Sequence, residues 1–296
     1  MIFNPVARGA PRIERLRAAI DGLVGWDVSL VTTEGAGHAT ELARSAAASG
    51  LEVVVACGGD GTVNEVANGL AGSATALAVV RGGTANVWAK EVRIPRDAAA
   101  AVQLLAEGEM RTIDLGRAGE RYFLLMAGVG FDAAIVRSLS GGLKSRLGAV
   151  AYIMGGLRLS LSYRAAAAEL RPDEDSLSSP LYWLMVGNTR NYGGLLNIAH
   201  MAKADDGRLE MLLLQRGGLL RLAWLVPFVV FKRHQRRPYV IHRSVVSLDV
   251  RTPGLPVQLD GEYLGETPLR FSVAPGALRA VVPRGLKSPL FVEGHR

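Results

Sequence analysis

The residues best placed to do chemistry are an aspartate and a threonine set among glycines: Gly58, Gly59, Asp60, Gly61 and Thr62. The apolar run Leu51–Cys57 precedes them, and Val63, Val66, Ala67 and Leu70 follow at helical spacing. The run suits a strand buried on both faces, and the spacing predicts a helix starting near Thr62. A strand, a glycine turn and a helix N-terminus together make an anion cradle. Glycines let the backbone come close, unpaired N–H groups point outward, and the helix dipole favours phosphate. An ordinary tight βα turn is the alternative, and glycines clustered around a carboxylate and a hydroxyl weigh against it. Asp60 would repel phosphate unless a cation such as Mg²⁺ lay between them, so a metal-linked role is the natural one.

A second loop of the same kind follows. Ala76–Val80 is apolar, Arg81, Gly82, Gly83 and Thr84 form a turn, and a helix can begin at Asn86 and run to Val92. Two such loops at the carboxyl ends of adjacent parallel strands would face one crevice, the usual ligand position in open α/β sheets. No GxxxxGK[ST] loop is present, so amides and hydroxyls would have to hold phosphate without a Walker lysine. Asn86 suits a helix cap as well as a ligand. Asp260 and Glu262 stand two residues apart, on one face if the segment is a strand. Asp-Gly between apolar runs is equally a hairpin signal, and composition alone favours the turn. Asp205 and Asp206 precede Gly207 in a turn before Leu209–Leu214. The five histidines show no HExxH or paired spacing, which argues against zinc. Only His38 has a position near the predicted cradle.

These groups need elements to hold them. The chain has 296 residues, 49% of them hydrophobic, enough for one large domain or two ordinary ones. Its single cysteine, Cys57, rules out an internal disulfide and reads as an inert core thiol. Residues 7–17 are arginine-rich without an apolar h-region, so no secretory signal is expected. Met1–Pro5 reads as a short strand and turn, Pro11–Leu23 as an amphipathic helix, Trp26–Val31 as a strand and Ala39–Ala48 as a helix. Asp97–Leu105 adds one more helix. After Asp114 the grammar changes to strands separated by Gly, Pro and Asp turns: Ile113–Arg117, Tyr122–Ala127, Leu181–Val186, Leu209–Leu214, Val245–Val250, Val257–Leu259, Leu269–Val273 and Leu278–Val282. That pattern predicts an antiparallel sandwich, with a helix inserted at Arg146–Leu161 and a polar surface loop at Pro172–Ser179. The longest apolar stretch, Leu219–Phe231, is short of the ~20 residues a bilayer span needs. It runs into Lys232, Arg233, Arg236 and Arg237, a combination suited to lying on an anionic membrane, or to a core helix with a solvated basic end. A net charge of +7 fits an anionic partner.

The motifs resemble those of the diacylglycerol kinase catalytic family, which includes bacterial lipid kinases and the sphingosine and ceramide kinases. They are Asn4–Pro5, GGDGTVNEVANGL at 58–70, GGTANVWAKE at 82–91, GVGFDA at 128–133, SRLGAVAYIMGGLR at 145–158, NTRNYGG at 188–194, ADDGRLE at 204–210 and LDGE at 259–262. A lone GGDGT would be weak, because NAD kinases share it; the motifs in the family's order are strong. The resemblance implies a three-layer α/β nucleotide domain at 1–115, joined by the chain end at 285–296, and a β-sandwich lipid-substrate domain at 116–284. It implies ATP binding by Asn4, Thr32, Gly58, Gly59, Asp60, Gly61, Thr62, Val63, Asn64, Glu65, Gly83, Thr84 and Asn86. It assigns Glu262 as general base, with Asp260 orienting it or holding water and metal, beside the cation-linked Asp60 argued above. It also implies a structural Mg²⁺ held by Asp206 and main-chain oxygens of Lys203 and Arg208.

The expected protein is an ATP- and Mg²⁺-dependent kinase of diacylglycerol or a similar lipid, cytoplasmic and peripheral to the inner face of the cell membrane. Homodimerisation is left open. Val87 stands where many relatives carry Asp, His200 replaces a common proline and Leu195 a glycine, which leaves the lipid's identity open. The rivals are an NAD kinase-like enzyme, a non-catalytic lipid-binding protein, and a nucleic-acid binder suggested only by charge. No aromatic-rich RNA motif or recognition helix supports the last, so nucleic acid is not expected.

Overall fold

The computed structural model describes residues 1–139, 152, 154–194 and 196–293. The chain forms two compact units: Met1–Leu115 with Ala204–Asp206 and Ala274–Arg296, and Gly116–Lys203 with Gly207–Val273. The chain therefore returns to the first unit at Ala274, earlier than the expected 285, and a short excursion at Ala204–Asp206 also belongs to it.

The first unit is a parallel sheet with helices. Its strands β1 (Ile2–Phe3), β2 (Val31–Thr32), β3 (Val53–Gly58) and β4 (Ala76–Arg81) lie in the order β2-β1-β3-β4. Residues Arg279 and Ala280 of the long strand Leu269–Val282 pair parallel to β4. The valine-rich β3 and, up to Val80, β4 are apolar and pair from Val53↔Ala76 to Gly58↔Arg81, as strands covered on both faces do. Helices α1 (Ile13–Asp21), α2 (His38–Ala48), α3 (Asp60–Leu70), α4 (Val87–Glu91) and α5 (Ala98–Glu107) complete the unit. The strand expected at Trp26–Val31 shrinks to β2, because its partner β1 offers only Ile2 and Phe3 to pair with. Helix α3 starts at Asp60 rather than near Thr62, with Gly59 as its extended N-cap and Val63 N–H already bonded to Gly59 C=O at 3.0 Å. That shift puts Asp60 in the first helical turn.

Next in the chain, β5 (Glu109–Ala118) pairs antiparallel with β6 (Arg121–Phe123). The second unit is an antiparallel sandwich. One sheet contains β7 (Met126–Gly130), β10 (Trp183–Gly187), β11 (Leu209–Leu214), β12 (Val240–Val245), β14 (Pro256–Leu259) and β15 (Glu262–Glu266), in the order β12-β11-β10-β7-β14-β15. The other contains β8 (Ala166–Pro172), β9 (Leu177–Leu181), β13 (Ser247–Val250) and the first residues of Leu269–Val282. Val129, Leu184, Met211 and Val257 from the first sheet meet Ala168, Leu181, Leu248 and Phe271 from the second in one core. Of Pro172–Ser179, expected as a polar surface loop, Asp173–Ser176 is the exposed loop joining β8 to β9, while Leu177–Ser179 belongs to β9. Asp173 and Glu174 take positive φ there, and Asp173 Oδ1 accepts from Val246 and Ser247 N–H at 2.8 Å each. Leu269–Val282 is one strand, not two; across Pro275-Gly276 the Gly276 N–H finds Asp114 Oδ1 at 2.8 Å. Phe131–Leu139 forms helix α6, directly after β7. Most of the first half of the helix expected at Arg146–Leu161 lies outside the described residues, as does Leu195; residues 154–160 are helical.

Candidate active site

In the first unit, β1 lies between β2 and β3, so the chain leaves it on one side and comes back on the other. The carboxyl ends of β1 and β3 flank that switch point, where open α/β sheets place ligands. Asn4, directly after β1, bonds its N–H to Cys57 C=O at 2.9 Å and its Nδ2 to Thr62 Oγ1 at 2.9 Å. The loop after β4 lies against the loop after β3: Gly82 N–H donates to Gly58 C=O at 2.8 Å. A Cβ on Gly82 would stand 2.8 Å from Gly58 Cα, and one on Gly83 2.6 Å from Gly59 Cα. Only glycines allow that approach, which leaves the first-turn amides of α3 beside a second glycine loop.

Asp60 sits at this junction. Its Oδ1 accepts from Val87 N–H at 2.6 Å. Burial pushes its carboxyl above the usual value; the amides of Val87 and Asn86 and the charge of Lys90 pull the other way. Asn86 occupies the N-cap position of α4 in the left-handed region (φ 46) but makes no side-chain cap bond. It closes its own loop, accepting from Gly83 N–H at 2.9 Å and donating to Gly83 C=O at 2.6 Å. Glu65 is also engaged: Oε1 accepts from Gly37 N–H at 2.9 Å and Oε2 from Ala39 N–H at 3.1 Å, so it caps the start of α2. That fixes the loop following Thr32, in which His38 Nδ1 accepts from Glu34 N–H at 3.0 Å. Thr32 and Thr84 expose their side chains, while Thr62, Val63 and Asn64 are buried.

In the second unit, Asp260 and Glu262 do not share a strand face. Asp260 (φ 48) and Gly261 (φ 87) form a two-residue hairpin turn closed by the pair Leu259↔Glu262. Both turn residues need positive φ, which is why Asp-Gly serves here. The Asp260 carboxylate accepts N–H bonds from Leu124 at 2.8 Å, Leu125 at 3.0 Å and Met126 at 2.8 Å. It is thus an anchor for the turn. Glu262, the next residue but one, points outward and meets Arg121 Nη2 at 3.3 Å.

The expected metal residues divide between the units. Asp206 is exposed in the first. In the second, Arg208 donates to Ser244 Oγ at 3.0 Å and Ser244 C=O at 2.7 Å. Among the described residues no group of three His, Cys, Asp or Glu side chains gathers.

One feature escaped the sequence reading, and another decides between two readings left open there. The first is Asp132, in GVGFDA, which is 2% exposed and bonded to Tyr152, Tyr192 and Gln258. A lone acid inside the apolar run Leu124–Val136 was the available signal. The other is how Leu219–Val230 (α7) sits: only Leu225 and Val229 are buried, whereas Leu220 is 85% and Phe231 73% exposed. That is not a core helix. Arg237 lies 3.7 Å above the Phe228 ring and 5.2 Å above Trp224, and an open groove of about 790 Å³ runs between Leu161, Arg164, Leu220, Trp224 and Tyr239. No helix among the described residues is long and apolar enough to cross a membrane.

Residues 1–118 match the diacylglycerol kinase catalytic domain, and residues 126–282 the YegS C-terminal NAD kinase beta sandwich-like domain. A protein of Pseudomonas putida named "Probable lipid kinase YegS-like" is 37% identical over 94% of this chain and 92% of its own. A diacylglycerol kinase of Staphylococcus saprophyticus is 26% identical over 91% and 89%. The fold is that of a diacylglycerol kinase from Bacillus anthracis (TM-score 0.74, 21% identity, 97% of each chain). It is more distantly that of an Archaeoglobus fulgidus NAD kinase (TM-score 0.51, 14% identity, 96% of this chain and 94% of the other). The chain belongs to the diacylglycerol kinase catalytic-domain family, with the YegS-type sandwich as its second domain.

Proposed function

We propose that this protein is an ATP- and Mg²⁺-dependent lipid kinase that transfers the γ-phosphoryl group to a hydroxyl of diacylglycerol or a similar lipid at a membrane surface. The observation that carries the reading is Asp60 in the first turn of α3, between two apposed glycine loops at the switch point of the sheet. Amides of Gly59–Thr62 and the Thr84 hydroxyl would hold phosphate oxygens, with Asn4 fixing Thr62, Asn86 fixing the second loop and Glu65 fixing the loop after Thr32. Asp60 is a hard oxygen donor of the kind Mg²⁺ takes, and the cation, when bound, neutralises charge on the phosphates.

Phosphoryl transfer then needs a base for the acceptor hydroxyl. Glu262 is exposed and leaves a turn clamped by Asp260, so it can take that proton as the phosphoryl group moves in line. The unburied apolar face of α7 with Lys232, Arg233 and Arg236 suits contact with an anionic bilayer, where a lipid acceptor is found.

The test supplies γ-labelled ATP and Mg²⁺ with diacylglycerol, other lipid alcohols and NAD as competing acceptors. Label in a lipid is expected. Label in NAD, or a failure to bind any nucleotide, would overturn the reading.

A further inference from the structure

We propose that Asp132 is a positioning residue for the LDGE turn: it fixes the Gln258 side chain, which fixes the Gly261 amide and hence the direction in which Glu262 leaves the turn. This rests on the lipid-kinase reading above, which makes Glu262 the base.

A carboxylate so deeply buried is tolerated only when its oxygens are bonded. Here they are. Oδ1 accepts from the Tyr192 hydroxyl at 2.6 Å and from the Tyr152 hydroxyl, each spending its one proton there, and the two phenol oxygens lie side by side. Oδ2 accepts from Gln258 Nε2 at 2.8 Å. Gln258 is itself 2% exposed, and its Oε1 accepts from Gly261 N–H at 2.7 Å.

The chemistry of these groups sets a direction. A glutamine amide has a donor end and an acceptor end, and the Gly261 N–H can meet only the acceptor, which leaves Nε2 for an Asp132 oxygen. Asp132, by holding Nε2, keeps the oxygen of Gln258 towards Gly261. Asp260 holds the same turn from its other side through the amides of Leu124, Leu125 and Met126. With both arms held, the turn has little freedom, and the residue that follows it inherits that order. Four of the motifs noted in the sequence (GVGFDA, the segment containing Tyr152, NTRNYGG and LDGE) meet in this one network.

The test is Gln258→Met, which keeps side-chain volume and removes both bonds. Lipid phosphorylation by the full-length variant should show kcat lower by about 10- to 100-fold, the range expected when a reacting group is misplaced by ~1 Å. KM for ATP should stay unchanged. Phe271→Leu, a core substitution in the same unit and outside the network, serves as a stability control and should keep its kcat below its melting temperature. Should Gln258→Met not fold, Tyr192→Phe removes one anchor of Asp132 and should lower kcat several-fold with the same unchanged KM for ATP. Amide hydrogen exchange at Gly261 gives a readout independent of activity: protected in the wild type, faster in either variant. Wild-type kcat and wild-type Gly261 protection in the variant that folds would overturn the proposal, as would an equal kcat loss in Phe271→Leu. A wild type that labels no lipid would instead remove the kinase reading, while Gly261 exchange would still decide whether Asp132 and Gln258 hold the turn.

Discussion

Asn4 Nδ2 donates to Thr62 Oγ1 at 2.9 Å, tying the end of the first strand to the first turn of α3 across the point where the sheet changes direction. The bond orders a hydroxyl within the proposed phosphate cradle. Asn4→Ala should therefore weaken ATP binding by roughly 3- to 10-fold, the equivalent of one ordinary hydrogen bond of ~1 kcal/mol. Titration calorimetry with ATP and Mg²⁺ checks it, with circular dichroism confirming that the fold is kept.

Glu65 has its carboxylate across the N-terminus of α2, bonded to Gly37 and Ala39. Glu65→Ala leaves two amides without that partner and removes a charge complementary to the helix dipole. The loss should be about 1–2 kcal/mol of stability, read as a lowered urea midpoint with an unchanged slope.

The Asp260 carboxylate satisfies the amides of Leu124, Leu125 and Met126. Asp260→Ala should destabilise the second unit by about 2–4 kcal/mol, since several partly buried donors lose their acceptor together. Asp260→Asn should cost less, because Asn tolerates the left-handed conformation and keeps one acceptor. Thermal unfolding of the two variants should rank them in that order.

The sequence showed some of this and hid the rest for physical reasons. GGDGT after an apolar strand revealed the cradle because glycine, helix start and strand end are all local signals. Asp-Gly at 260–261 is likewise a local turn signal, and the turn forms there, with Asp260 and Gly261 both at positive φ, so Asp260 and Glu262 do not share a strand face. Strands β8 and β9 were not legible because AAAELRP and LSSPL lack the β-branched residues that mark a strand, and β12 because the polar His242, Arg243 and Ser244 interrupt its apolar residues. The Asp132 network showed only as a lone acid in an apolar run, since its members come from residues 132, 152, 192 and 258 and only folding brings them together.

Burial raises the Asp60 carboxyl above its ordinary 3.8. A carboxyl whose value is higher folded than unfolded favours the fold below about 3.8, and this contribution is lost as pH rises through the raised value. Without nucleotide, the stability of the wild type relative to Asp60→Asn should thus fall with rising pH across that window and then level off. Urea titrations of both proteins from acid to neutral pH measure the difference, and a difference that grows with pH in favour of the wild type would reverse the sign.

Leu220 and Trp224 lie on the open side of α7, 85% and 54% exposed. Leu220→Glu with Trp224→Glu should lower binding to anionic vesicles by about tenfold or more, given ~1.5–3 kcal/mol for each large apolar side chain that enters an apolar phase. Co-sedimentation with phosphatidylglycerol-containing and neutral vesicles should also show the preference for the anionic ones weakening with salt.

The most direct measurement of the central claim is the single-turnover rate of γ-phosphate transfer to diacylglycerol in mixed micelles, wild type against Glu262→Gln, with ATP affinity measured on the same samples. Loss of the general base should slow transfer by about 10²–10⁴-fold while ATP binds as before. A Glu262→Gln protein that transfers at the wild-type rate, or a wild type that binds ATP tightly yet labels no lipid, would contradict it.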